Sequence, residues 1–251
     1  MGKGIKETME RDWDMRARHD AVRYVAGEHV DDAFFNDGTK QAYQLCHDFF
    51  QKEDFQPEGK CMLDIGCGLG RMERGFCEMF GEVWGLDVSS EMVTQAIELN
   101  RAFENVKFVK GNGHDLGIFP GEYFDFVFSY ITFQHIPEKQ IILNYLSEIH
   151  RVLKEGGVFK VLLKKQWTRV ALVFGFIPIP RFILPYIPET LWTIYEHLAL
   201  RGEKKLLRGK TWRGCGVSEK EARQALSSLR FRTVEIKEDP AKVVYWCCGR
   251  K

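Results

Sequence analysis

The chain has 251 residues, of which 45% are apolar and 28% charged, enough to bury one sizeable core with room for an inserted subdomain. Thirty-six Lys and Arg stand against 35 Asp and Glu, a net charge of +1. No global field therefore draws the protein to nucleic acid or to a membrane, and no nucleic-acid partner is expected. The seven cysteines are scattered without a CxxC pair, and the opening MGKGIKETMERDWD lacks the apolar run of a signal peptide. Lys6 stands where an N-myristoylation motif requires Ser or Thr. The expected setting is a reducing cytoplasm, with the cysteines serving as core filler.

In chain order, residues 1–55 read as a helical cover. Two or three amphipathic helices are expected over 5–52, with Trp13, Val22, Tyr24, Val25, Phe34, Phe35, Tyr43 and Phe50 as their apolar material. Residues 56–165 form the core unit. CMLDI (61–65), VWGLD (83–87), VKFVK (106–110), FDFVFS (124–129) and VFKVLL (158–163) are strand-like. Between them, 71–80, 91–103 and 138–153 carry apolar residues at helical spacing. The last of these has Ile142, Tyr145, Leu146, Ile149 and Leu153 in one stripe and stops at Lys154-Glu155-Gly156-Gly157. Strands alternating with helices predict a doubly wound, mainly parallel sheet. Residues 166–213 form an insertion, and 214–251 supply a helix (219–229) and the strands FRTVEI and VVYWCC. Cys247 and Cys248, adjacent on a strand, should point to opposite faces and cannot share a metal.

The strand ending at Asp64 runs into Gly66-Cys67-Gly68-Leu69-Gly70 and then a helix. Glycines allow a tight turn and close approach of a ligand, and the following helix offers free N–H groups. Asp87 closes the next strand, where a carboxylate can accept both hydroxyls of a ribose. A dinucleotide fingerprint requires Gly or Ala two residues beyond Leu69, and Arg71 stands there.

LDIGCGLGR resembles the first motif of class I S-adenosylmethionine (SAM) dependent methyltransferases. GLDVSSEM, GNGHDL and FDFVFSYITFQHIPE…LSEIHRVLKEGGVFKV resemble the following motifs in order, over about residues 40–165, and point to the small-molecule branch called type 11. The resemblance implies a Rossmann-like seven-stranded sheet with its last strand antiparallel, N-terminal helices over the cofactor, and a cap inserted between strands 5 and 6. It implies SAM as cofactor and methyl transfer to N or O of a small, partly apolar molecule. Asp64, Gly66, Cys67, Gly68 and Gly70 would surround the methionine part, and Asp87 would grip the ribose. Val88 and Met92 would sandwich the adenine, Asn112, Gly113 and His114 would face its edge, and Ser129 and Gln134 would complete the amino end. The family usually has Asp where this chain has Asn112.

Methyl transfer from a sulfonium is an in-line displacement, helped by a base when the acceptor carries a proton. His135 and Tyr130, after the fourth strand, are the candidate catalytic groups; the other reading of His135 is a hydrogen bond that starts the next helix. Trp13, Arg16, Tyr24 and Phe35 either line the closed site or fasten helices to the core. Lys164 and Lys165, at the ligand-bearing edge, are a solvated pair or contacts for an acidic substrate. The insertion, with Pro178, Pro180, Pro185 and Pro188 in an apolar half and Lys204, Lys205, Arg208, Lys210 and Arg213 after it, is too broken to span a bilayer. It is an acceptor lid, a membrane-surface contact through 170–213, or a structural cap. A SAM-binding protein without transferase activity is the reading from another class.

Overall fold

A computed structural model describes residues 3–25, 29–165, 210–238 and 244–251. The lid, cap and membrane-contact readings fall largely on 166–209, outside the described residues.

Seven strands form one sheet in the order β3-β2-β1-β4-β5-β7-β6. They are β1 Cys61–Ile65, β2 Glu82–Asp87, β3 Val106–Lys110, β4 Phe124–Ser129, β5 Leu153–Lys164, β6 Thr233–Glu238 and β7 Val244–Arg250. β1 to β5 pair in parallel, while β7 is antiparallel to both β5 and β6. This is the Rossmann-like sheet with an antiparallel last strand that the resemblance implies. The helices are α1 Lys3–Val25, α2 Asp32–Lys52, α3 Glu73–Met79, α4 Ser90–Leu99, α5 Lys139–Val152, the single turn α6 Lys210–Arg213, and α7 Glu219–Ser228. Among the described residues no helix is long and apolar enough to cross a membrane.

Strand alternation sorts the core into two faces. Leu63, Val127, Phe159, Val161 and Cys247 pack with the stripe Ile142, Tyr145, Leu146 and Ile149 of α5 and with Leu226 of α7. Met62, Phe126, Phe128, Val158 and Cys248 face Phe49 and Phe50 of α2 and Phe76 of α3. Cys247 and Cys248 thus lie on opposite faces, as strand geometry requires, and all seven cysteines are free. β5 begins five residues earlier than the apolar run suggests. Its pairing with β4 jumps from Phe124–Leu153 to Phe126–Val158, so Lys154 to Gly157 form a bulge in a strand rather than a loop before it.

Helix starts follow their caps. Ser89 Oγ accepts from Met92 N (3.1 Å), Asp31 accepts from Phe34 N (2.8 Å), and Ser218 with Glu221 makes a reciprocal capping box. α1 departs from the amphipathic helix expected. It kinks at Asp20, whose carboxylate accepts from Arg23 N (3.1 Å), and it buries two charged side chains, Asp14 and Arg16, alongside Met9, Ala17, Ala21 and Tyr24. Polar docking, more than one apolar stripe, fixes its place.

Candidate functional site

The turn from β1 to α3 needs glycine at three points, of which Gly66 and Gly68 face the cavity. Gly66 (φ +85°) has a backbone angle that side chains resist, and a Cβ there would lie 2.1 Å from Thr132 Oγ1. Gly68 (φ +56°) faces Val25 of α1, whose Cγ2 would lie 3.0 Å from an added Cβ. The Gly68 N–H donates to Asp87 Oδ2 (3.0 Å), and Ser89 N donates to Oδ1 (2.9 Å). Asp87 is therefore held at the end of β2 by two backbone donors, with lone pairs remaining for a ligand. Burial pushes its carboxyl up to about 6, against the lowering effect of those donors.

This loop, β2 and α1 enclose a cavity of about 1200 Å³ including its open mouth. Its wall includes Asp64, Gly66, Cys67, Gly68, Asp87, Val88, Met92, Gly113, Tyr130 and His135, ten of the residues singled out from sequence. Met9, Trp13, Tyr24 and Val25 close it from α1, and Ile131, Tyr145 and Arg71 add to the far wall. Ile131 stands in the left-handed region (φ +57°), unusual for a β-branched residue.

The remaining predicted residues sit elsewhere. Gly70 gives room for Asn100 and Phe108, not for a ligand: a Cβ there would meet Asn100 Nδ2 at 2.5 Å. Ser129 is fully buried and donates to Ile65 O (2.7 Å). Asn112 spends its oxygen on His114 N and Asp115 N (2.9 and 3.0 Å), forming a local turn, and its amide donates to Asp115. His114 pairs with Asp115 (3.2 Å). Gln134 lies against His135, Nε2 to Nε2 at 3.2 Å.

His135 Nδ1 contacts Trp212 O, so Nδ1 carries the proton and donates. Burial, together with Arg16 and Lys164 nearby, pushes the ring down to about 4, and the imidazole is neutral near pH 7. It is a weak base, tied to α6. Trp212 lies against it, tilted by 32° at 4.7 Å between centroids, and Trp13 meets its edge at 5.4 Å. Tyr130 stacks on Trp246 (5.7 Å) and its hydroxyl accepts from Gln41 Nε2 (3.4 Å).

Of the other candidates, Trp13 and Tyr24 line the cavity. Arg16 is fully buried, its guanidinium 4.6 Å from the Trp13 ring and donating to Thr211 Oγ1 (2.9 Å). Phe35 packs under Arg74 instead. Lys164 donates to Arg213 O (2.6 Å) and Lys165 pairs with Glu238, so neither is a merely solvated charge. Among the described residues no cluster suited to a metal occurs.

Sequence reasoning missed Asp14 and Glu73. Asp14 on α1 accepts from Ser89 Oγ (2.6 Å), Ser90 Oγ (3.2 Å) and Glu91 N (3.2 Å), gripping the start of α4. Burial raises its carboxyl most, yet these donors together hold it below the usual range. Glu73, 1% exposed, opens α3 at the cavity wall beside Asp64. The position of each in a charged run gave no local signal, because only the tertiary contact makes it inward-facing.

A glycine turn after β1, an acid closing β2 and this strand order define the class I methyltransferase fold. Residues 63–161 match the family described as Methyltransferase domain. The chain is 33% identical over 149 residues to demethylmenaquinone methyltransferase of Geobacillus stearothermophilus, covering 55% of this chain and 60% of that one. It is 28% identical over 169 residues to 2-methyl-6-phytyl-1,4-hydroquinone methyltransferase of Synechocystis, covering 64% and 52%. The chain thus spans between about half and three fifths of the length of these curated relatives. Among solved structures, phosphoethanolamine N-methyltransferase 2 of Haemonchus contortus, in complex with S-adenosylhomocysteine, aligns with TM-score 0.64 at 15% identity over 97% of this chain and 60% of that one. Magnesium protoporphyrin IX methyltransferase of Synechocystis aligns with TM-score 0.59 at 15% identity over 98% and 99%. Residues 63–161 are thus similar to a methyltransferase domain, and the chain shares its fold with solved methyltransferases.

Proposed function

We propose that this chain is a SAM-dependent methyltransferase that moves a methyl group to N or O of a small, partly apolar molecule. The observation that carries the cofactor is the charge of the cavity. Three acidic side chains, Asp64, Glu73 and Asp87, face it against one guanidinium, Arg71. A dinucleotide would bring an anionic pyrophosphate to this place, whereas SAM brings a sulfonium and an ammonium, both cations. Asp87 suits the ribose, and Val88 and Met92 suit the faces of an adenine.

The group supplies the activated methyl when bound. The chain's own part is to orient and to exclude water: α1 lies across the mouth, and Trp13, Tyr24, Ile131 and Tyr145 give the acceptor side an apolar wall. His135, neutral and with its ring held down to about 4, is suited to orienting an acceptor rather than to stripping a firmly held proton. This favours acceptors that lose their proton readily. The quinone-related names of the relatives agree with an apolar acceptor but do not assign one.

Calorimetry with SAM, followed by transfer of labelled methyl to a panel of apolar amines, phenols and hydroquinones, tests the reading. Binding with turnover on one acceptor is the expected result. Absence of SAM binding overturns the proposal, and binding without transfer across a wide panel would favour a non-catalytic SAM-binding module.

A further inference from the structure

Asp64 near the end of β1 and Glu73 at the start of α3 are the two carboxyls that the glycine loop joins. They are 5% and 1% exposed, and their carboxyls lie close enough to act on each other. Among the described residues Asp64 Oδ1 and both oxygens of Glu73 make no well-formed hydrogen bond to a protein donor, although Glu73's own N–H lies near its carboxyl. A hydrogen bond between two carboxyls needs a proton, because an ionised pair has only acceptors. The surroundings add little positive charge. Cys67 of the loop, Asp87 from β2 and Cys46 from α2 face the pair, with Arg71 the nearby cation. The Arg71 guanidinium is itself engaged by Gln41 Oε1. Two bare carboxylates in contact and out of water are strongly unfavourable, and sharing one proton relieves them. Both side chains line the cavity.

We propose that the Asp64–Glu73 pair is a proton-holding seat for the ammonium group of the cofactor: one proton bridges the carboxyls in the ligand-free protein, and the arriving cation displaces it to solvent. This rests on the SAM reading above and adds to it Glu73 and a proton. No covalent bond changes; the pair goes from one negative charge to two, the ammonium supplies the compensating positive charge, and the proton passes to buffer. Cofactor binding is then linked to pH, tightening as pH rises toward neutrality, at most tenfold per pH unit for one proton. The same pair would reject a ligand that presents an anion at that end.

The test is calorimetry of the full chain with S-adenosylhomocysteine at pH 7.0 in buffers of different ionisation enthalpy, which counts protons released per ligand bound. At this pH the ligand's own amine, titrating near 8 as α-amino groups do, stays largely protonated. The expected result is a release approaching one proton for the wild type. Glu73→Gln should bind within about tenfold of wild type with release falling toward zero, since the amide donates to Asp64 and leaves it ionised beforehand. Wild-type binding without proton release overturns the seat, as does an unchanged release in Glu73→Gln. No binding by the wild type overturns the SAM reading instead. Should Glu73→Gln lack a cooperative melt, the wild-type proton count and the affinity series from pH 6 to 7 decide the matter.

Discussion

Asp87 carries two loads that a sequence motif shows as one. It fixes the glycine loop through Gly68 N–H and the start of α4 through Ser89 N–H, and the proposed ribose contact would use the same two oxygens. Asp87→Ala should therefore weaken SAM binding by about 1.5–3 kcal/mol, as charge-assisted hydrogen bonds to the ligand are lost and the loop loosens. Asp87→Asn, which keeps one acceptor oxygen, should lose less. Calorimetry of both variants checks this, and an unchanged affinity in the alanine variant would remove Asp87 from the binding site. Asp64, the glycine loop and Asp87 were legible because close backbone approach and an acid at a strand end leave a fixed spacing in sequence. Glu73 was not. On the helix Glu73–Met79 it resembles any first-turn acid, and only the contact with Asp64 across the loop makes it unusual. Gly70 shows another use of a motif glycine: its positive φ and the approach of Asn100 and Phe108 require glycine for packing.

At the scale of elements, strands were read closely where both faces are buried, as in Cys61–Ile65 and Phe124–Ser129, because continuous apolar runs bounded by turn residues have little competing interpretation. α1 was read poorly for a physical reason. Its attachment depends on Arg16, which the sequence offered as a site or fastening residue, and on Asp14, which looks solvent-facing until its partners at the start of α4 are known. Asp14→Ala leaves Ser89, Ser90 and Glu91 N without their shared acceptor at the start of α4. It should cost about 1–2 kcal/mol, seen as a lower midpoint in urea, and should raise protease sensitivity in the first 25 residues before the sheet unfolds. Gly68→Val acts on the same junction from below. A branched side chain at φ +56° and pressed on Val25 should abolish SAM binding while a cooperative melt persists. Normal binding by this variant would show that loop and cofactor are not in contact.

For the whole molecule, the thiols report the integrity of the packing. Six of the seven cysteines are buried and Cys77 is partly so. Burial pushes Cys61, Cys77 and Cys248 up to about 12 and Cys46, Cys67 and Cys247 upward as well. Thiolates are thus scarce at neutral pH. An aromatic disulfide reagent at pH 8 should titrate roughly one thiol or none within minutes in the native state, and all seven in denaturant. Fewer than seven in denaturant without reductant would reveal a disulfide. A second global signature comes from the acids in the cavity. Burial raises the folded value of Asp87 to about 6 and pushes the Asp64–Glu73 pair well above the usual carboxylate range. Their contribution to stability is complete below the unfolded carboxylate range and is lost as pH rises through those values. The melting temperature of ligand-free wild type, relative to Glu73→Gln, should therefore fall between pH 5 and pH 8. A constant difference across that range would show that the pair does not hold its proton in the folded protein.

The fastening of α1 bears on time as well as on shape. Asp14 ties the helix to residues 89–91, while Arg16 and Asp12 tie it to Thr211, so one helix is clasped at two places separated by more than 100 residues of chain. Met9 approaches Gly113 at one end of the cavity, and Val25 lies over Gly68 at the other. Under the proposed function, a nucleoside lodged beneath this helix is expected to leave when both clasps let go together. Its residence should then follow how often the helix undocks, and Asp14→Ala, which opens one clasp, should speed ligand release in a stopped-flow displacement assay.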